Sequence, residues 1–462
     1  MKKAQFGINN SNLLQEAVKI VDDIYIEIEK EEGKNQHFQD IQGDVYEYLL
    51  KATNEAGKNG QFRTPRHIIQ MMTELIKPNL TDEKVKICDV TSGSSGFLVG
   101  AYQYILKEGS KKIELDEDTN LKKGLDGDKL SASDKLRLKE NTFYGFDIDA
   151  TMVRIGMMNM IMHGIEKPMV ANVNTLSDEY EKYFELLTLK KININNVVAG
   201  KVKASVKQVE TVSDSSEGPK WGFEEFQYIL ANPPFAGKLS AKTISKNLNR
   251  VYKINQNTKK AQSFQTELLF LERIVYMLKK DGKAAVIVPE GVLFNSGNVY
   301  KKVREILLKD CDLEAVISLP SGVFNPYTAV KTSILIFTKK QFKSEIYNTE
   351  KVWFYGMDSD GYTLDNSRKK IKDDFPLPET IKQFATRNNK NKSQKDRQQK
   401  HFYIPLNEIK ENDFELNYNL YKDFVFNDKT YDPPKKLLAE LLKLEETISE
   451  GVGKLNISFN EN

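Results

Sequence analysis

Apolar positions along this chain follow two different periods. Before residue 60 the spacing is helical: Leu13, Leu14, Val18, Val21 and Ile24 predict an amphipathic helix over residues 10–31. A polar break containing Gly33 and Asn35 follows. Asp40 then stands where a cap belongs for a second helix carrying Ile41, Val45, Tyr46, Leu49 and Leu50, which Gly57-Lys58-Asn59-Gly60 ends. Thr64-Pro65 marks the start of a further helix running through Leu75. From residue 85, short apolar runs alternate with helical patterns. Runs at 85–90, 142–148, 169–173, 226–230, 284–288, 313–319 and 333–338 predict strands, with the run from Ser333 to Thr338 the last. Segments 97–107, 152–163, 266–278 and 299–308 predict the helices between them, whereas 108–140 and 174–225 read as a polar insertion and a variable stretch. This alternation predicts an α/β fold with a doubly wound, mostly parallel sheet.

Beyond Lys339 the pattern weakens, and residues 386–399 read as a polar loop. After Pro433-Pro434, Leu437, Leu441, Leu444, Ile448, Val452 and Leu455 recur at spacings of three and four. They predict a helix over residues 434–456 with one apolar stripe, to be buried against this chain or, as the favoured expectation, against a second one. The expected organisation is a helical segment over residues 1–60, a central α/β domain over 61–345 and a C-terminal extension over 346–462.

The 462 residues suffice for two or three domains, and charged residues make up 29% of them. No apolar stretch is long enough to span a bilayer, and Met1-Lys2-Lys3-Ala4-Gln5 lacks a signal-peptide core, so a cytoplasmic protein is expected. Cys88 and Cys311 are the two cysteines and the four histidines are scattered, which indicates neither a disulfide scaffold nor a metal site. A net charge of +3 excludes a polycation, yet the charge is uneven. Lys238, Lys242, Lys246, Arg250, Lys253 and Lys259 fall in a run without acids, suited to neutralising phosphates. A second basic stretch lies between Lys382 and Lys400.

The candidate chemistry sits at predicted strand ends. The run Tyr228-Ile229-Leu230-Ala231 delivers Asn232-Pro233-Pro234-Phe235 to the carboxyl end of a buried strand, where open α/β sheets bind ligands. The prolines restrict Asn232 to extended conformations. Its amide oxygen, the Pro233 carbonyl and the face of Phe235 can together clamp an aromatic amine. The turn from Asp89 to Gly96 joins the first strand of the sheet to a helix, and Gly93 and Gly96 allow a ligand to approach the backbone. Asp147, at the next strand's end, is placed for ribose hydroxyls. Neither a dinucleotide-binding glycine pattern nor a phosphate-binding P-loop is present, so ATPase chemistry is not indicated. In this order the features point to a nucleoside-containing cofactor.

The ordered motifs resemble the S-adenosylmethionine-dependent adenine-N6 DNA methyltransferases of gamma arrangement. More closely, residues 38–455 resemble the modification subunit of type I restriction-modification systems. The supporting stretches are Asp40 to Glu47, Gly60 to Arg66, Glu267 to Leu271, Val288 to Phe294 and Leu319 to Phe324. The resemblance implies that S-adenosyl-L-methionine is the cofactor. Gln61, Phe62, Arg63, Thr64, Pro65 and Arg66, with Ser92, Gly93 and Ser94, would hold its methionine end; Asp89 and Gly96 belong to the same turn, and Asp147 would hold the ribose. Asn174 stands where the family often has an acid that bonds the adenine. Asn232, Pro233 and Phe235 would be catalytic, acting on a flipped-out adenine, while Lys238, Lys242, Lys246, Arg250 and Lys253 would track the DNA backbone. The implied partners are double-stranded DNA, a specificity subunit bound by two modification subunits, and a restriction subunit. The family's usual turn departs here to Asp89-Val90-Thr91-Ser92-Gly93-Ser94-Ser95-Gly96-Phe97, and the helical segment before the shared region is shorter than family members usually carry. The residues leave two alternatives: an assembly or DNA-binding subunit with little catalysis, and an N-methyltransferase acting on RNA or a protein glutamine.

Overall fold

The computed structural model describes Gln15, Lys19 and residues 64–124, 126–188, 222–253, 263–341, 346–388, 396–424 and 434–460. The two helices expected before residue 60 lie outside the described residues apart from Gln15 and Lys19, as do Gln61, Phe62 and Arg63. The first half comprises α1 (Arg66–Ile76), β1 (Ile87–Asp89), α2 (Gly96–Glu108), β2 (Glu114–Leu115), β3 (Lys122–Lys123), α3 (Ala132–Glu140), β4 (Phe143–Asp147), α4 (Ala150–Met162), β5 (Met169–Asn172) and α5 (Glu179–Thr188). Then come β6 (Phe226–Ala231), β7 (Lys238–Ser240), β8 (Ser263–Gln265), α6 (Thr266–Met277), β9 (Leu278–Pro289), α7 (Gly291–Phe294), α8 (Asn298–Asp310), β10 (Cys311–Ser318) and β11 (Thr332–Lys339). The remaining elements are β12 (Lys351–Gly356), α9 (Pro376–Ala385), β13 (His401–Pro405), α10 (Leu406–Glu411), α11 (Tyr418–Tyr421) and α12 (Pro434–Asn460).

Nine strands form one sheet in the order β13-β12-β10-β11-β9-β6-β1-β4-β5. Strands β9, β6, β1, β4 and β5 run parallel, as do β10 and β12. β11 is antiparallel to both its neighbours, and β13 to β12. Successive residues alternate between two cores. Ile229 and Ala231 of β6 enter one and Tyr228 and Leu230 the other; β9 divides Ala284, Val286 and Val288 from Ala285 and Ile287. A sheet covered on both faces needs such continuous apolar strands. Residues of α5, α6 and α8 complete the first core, and those of α1, α2, α4 and α9 the second.

Four expectations are corrected. Ser333 to Thr338 is not the last strand: β12 and β13 extend the same sheet, which therefore runs past residue 345. β9 begins at Leu278 rather than at Ala284. Its polar Lys279-Lys280-Asp281-Gly282 stretch is looped out of register, since Leu278 pairs with Phe226 and Lys283 already with Tyr228. The polar insertion contains helix α3, which buries only Leu138 and so shows no apolar period; Ser131 caps it by accepting the Asp134 N–H at 3.1 Å. The variable stretch likewise contains α5, whose Tyr180, Tyr183 and Phe184 pack edge-on or tilted around Phe146.

The chain divides into two units, Met1–Tyr421 and Lys422–Asn462. The second contains α12, whose Leu437, Leu441, Leu444, Ile448 and Val452 are 48–64% exposed. Among the described residues no helix is long and apolar enough to cross a membrane.

Candidate active site

Four parallel strands, β5, β4, β1 and β6, lie side by side. From β1 the chain runs outward through β4 to β5, then returns to place β6 on the other flank of β1. That reversal opens a crevice at the carboxyl ends of β1 and β6, the position at which doubly wound sheets take ligands. Asp89 and Asp147 end β1 and β4, Asn174 follows β5 by two residues, and Asn232 follows β6 directly.

On one side of the crevice the turn after β1 is held by its neighbours. The Ser92 N–H donates to the Phe146 carbonyl at 2.8 Å. The carboxylate of Asp147 accepts the Gly93 N–H at 3.0 Å and the Asp149 N–H at 2.8 Å. One acid thus pins a turn belonging to the adjacent strand and retains lone pairs for further donors. Gly93 sits at φ +48°, where a side chain would be strained. Helix α4 closes on the turn from below: a Cβ on Gly156 would come within 2.8 Å of the Gly93 carbonyl, and the Asn159 amide donates to the Ser94 carbonyl at 2.8 Å. Gly96 begins α2, and Ser92 is buried.

Both acids are perturbed. Asp89 is 2% exposed, and burial pushes its carboxyl up to about 8, against the pull of the Thr91 N–H at 3.0 Å and with a smaller push from Asp147. Burial also raises Asp147, opposed by its bonds from Asp149 and Gly93. The Asp147 carboxyl beside the glycine turn suits hydroxyl donors. Asn174 is used locally: its side-chain oxygen accepts the Leu176 N–H at 3.0 Å, and its own N–H donates to Glu179 at 3.1 Å. That oxygen closes a turn, so an outward role falls to the amide nitrogen.

Across the crevice, the Asn232 amide nitrogen donates to the Thr64 hydroxyl at 3.0 Å. Its oxygen, Oδ1, is buried and has no hydrogen-bond partner. A buried acceptor without a donor is costly and calls for an explanation, of which a ligand amine is one. Pro233 is buried beside it, and Phe235 is half-buried. The ring of Phe324 meets that of Phe235 edge to face, with centroids 5.9 Å apart. Thr64, expected at the cofactor, also meets the Asn232 amide, a contact that sequence reasoning missed. It also missed Phe324, although the stretch ending there had been singled out. Pro65 precedes α1 and Arg66 opens it.

Of the basic residues, Lys238, Lys242, Lys246 and Lys253 are exposed on and after β7. Arg250 departs from that group: its guanidinium is tied to Asp310, and its backbone N–H donates to Glu272 at 2.8 Å. It serves the interior as much as the basic face.

Known proteins resemble this chain in sequence and in fold. A family described as N-6 DNA methylase matches residues 37–429. The methylase subunit of the type I restriction enzyme EcoEI from Escherichia coli is 28% identical over 349 residues, covering 75% of this chain and 54% of its own. A type I restriction-modification methyltransferase subunit from Streptococcus thermophilus has a similar fold, with a TM-score of 0.54 at 22% identity over 84% of this chain and 65% of that one. A chain from the structural description of complex assembly in a type I system gives a TM-score of 0.55 at 24% identity, covering 92% and 72%. This chain spans about half the length of the curated relatives it matches. With the family match extending over most of its length, the chain belongs to the N-6 DNA methylase family.

Proposed function

We propose that this chain is the modification subunit of a type I restriction-modification system, methylating adenine N6 in duplex DNA with S-adenosylmethionine as donor. The observation that carries the reading is the buried, unpartnered Oδ1 of Asn232, across the β1/β6 crevice from the turn that Asp147 pins. Oδ1 and the Pro233 carbonyl accept the two hydrogens of the adenine amine. Drawing on those hydrogens localises the lone pair that the ring otherwise delocalises, and makes the nitrogen a better nucleophile. The base is flipped out of the duplex and stacks on Phe235, which Phe324 holds at its edge.

The residues around the turn fit the cofactor. Asp147 receives ribose hydroxyls, the backbone at Ser92, Gly93, Ser94 and Gly96 allows close approach, and Asp89 begins the same turn. Thr64, Pro65 and Arg66 belong to the loop facing the methionine end, and the amide nitrogen of Asn174 lies toward the adenine. When bound, S-adenosylmethionine supplies an electrophilic methyl group; the chain's part is to orient the amine and exclude water.

Lys238, Lys242, Lys246 and Lys253 neutralise phosphates beside the flipped base. The apolar stripe of α12 docks on a specificity subunit, two such chains to each, and that subunit selects the DNA sequence. A restriction subunit joins in the full complex. The names of the curated relatives, methylase subunits of type I enzymes, support this assembly. The test is methyl transfer to duplex DNA with and without the partner specificity subunit. Transfer that requires the partner is expected; cofactor binding without transfer to any DNA would favour an assembly role.

A further inference from the structure

The segment between β12 and α9 touches His67, close in sequence to Thr64, and Asn325, next to Phe324. Asp360 has a fully buried side chain that accepts the Nε2–H of His67 at 2.8 Å and a guanidinium N–H of Arg368. Burial holds the His67 imidazole below its ordinary value despite Asp360, and Nε2 carries the proton donated to the carboxylate. Tyr362 stacks on the same imidazole, with ring centroids 4.5 Å apart and planes 23° apart. Arg368 also donates to the Thr363 carbonyl at 2.8 Å, closing the segment on itself.

His67 lies in the first turn of α1. There the N–H groups of Ile68 and Ile69 both donate to the Pro65 carbonyl, at 3.0 and 3.1 Å, so a shift of His67 carries Pro65 and Thr64 with it. Thr64 is the residue that holds the Asn232 amide. On its other flank the segment offers the Leu364 carbonyl to the Asn325 amide at 2.8 Å. The same carbonyl lies so close to Gly322, at φ +94°, that any Cβ there would collide with it. Between Gly322 and Asn325 stands Phe324, the ring that meets Phe235.

We infer that residues 357–371 form a positioning strap, with Asp360 as its anchor, that sets Thr64 against Asn232 and Phe324 against Phe235 together. Asp360 touches no reacting atom. What the strap positions rests on the proposed methyl transfer; that it holds the two flanks does not.

The experiment compares the full chain with its Asp360→Asn variant by amide hydrogen exchange and by single-turnover methylation. Loss of the charge on a buried hydrogen-bonded group should speed exchange about tenfold in residues 64–76 and 320–328, leaving β4 and β5 unchanged. The methylation rate at saturating cofactor should fall by a similar factor of about ten. His67→Gln, which keeps a donor, should recover protection relative to His67→Phe. Should Asp360→Asn fail to fold, Tyr362→Leu, which removes only the stacking, reads the same two regions. Unchanged exchange in both, or change confined to one flank, overturns the strap. If the unaltered chain transfers no methyl group, the functional reading fails while the exchange result still decides the strap.

Discussion

The hydroxyl of Thr64 accepts a 3.0 Å hydrogen bond from the side-chain amide of Asn232, across 168 positions of sequence. With its nitrogen occupied in this way, the amide cannot rotate freely, and its oxygen is left buried without a partner. The first prediction follows. Asn232→Ala should cut methyl transfer on the order of 100-fold or more, the usual cost of one preorganised polar contact. Thr64→Val, which frees the amide without removing it, should cost about tenfold. Cofactor titration by calorimetry should show near-normal affinity for Asn232→Ala; undiminished transfer would show that the amide does not face the amine.

Asp147→Ala should act in the opposite sense, on binding before chemistry. It removes a charged acceptor from the proposed ribose and releases the Gly93 and Asp149 N–H groups that the carboxylate holds. Such a group contributes roughly 1.5–3 kcal/mol, so the cofactor dissociation constant should rise at least about tenfold. An unchanged constant would place the cofactor elsewhere.

Asp89 predicts a pH dependence. Folding raises its carboxyl to about 8, so between the ordinary carboxylate range and that value the folded chain keeps a proton that the unfolded chain has lost. This contribution to stability is therefore full in acid, declines as pH rises and is gone above about 8. Asp89→Asn should show a flatter thermal midpoint than the unaltered chain between about pH 4 and about pH 8. Parallel profiles would contradict the shift.

The stripe on α12 offers a separate test. Leu441 and Ile448 are 64% and 62% exposed, and burying each on a partner would contribute roughly 1.5–3 kcal/mol. Leu441→Asp combined with Ile448→Asp should leave the thermal midpoint and cofactor binding intact while abolishing co-purification with the specificity subunit. Unfolding with partner binding retained would show that the stripe belongs to the fold of this chain.

How much of this was legible in the sequence depended on whether the signal was local. Asn232 and Asp147 were locatable because each ends an apolar run with a polar residue, and the sheet order then brings those ends together. Helix α3 was not, because burying Leu138 alone leaves no period to read. Strands β12 and β13 lay beyond polar stretches that masked them, although Val352, Trp353, Phe354 and Tyr355 are buried and suited to a strand. The pairing of Thr64 with Asn232, the edge contact of Phe324 and the bond from His67 to Asp360 are products of tertiary folding. No spacing in the chain announces a contact between residues 67 and 360.

The most direct measurement is the identity of the product base. Duplex DNA carrying the partner's recognition sequence would be incubated with this chain, the specificity subunit and isotopically labelled S-adenosylmethionine, then digested to nucleosides and separated by mass. Label is expected in N6-methyl-2′-deoxyadenosine from the DNA, and is lost with Asn232→Ala. Label in another base, in RNA or in a protein glutamine, or no label while the cofactor remains bound, would contradict the proposed function.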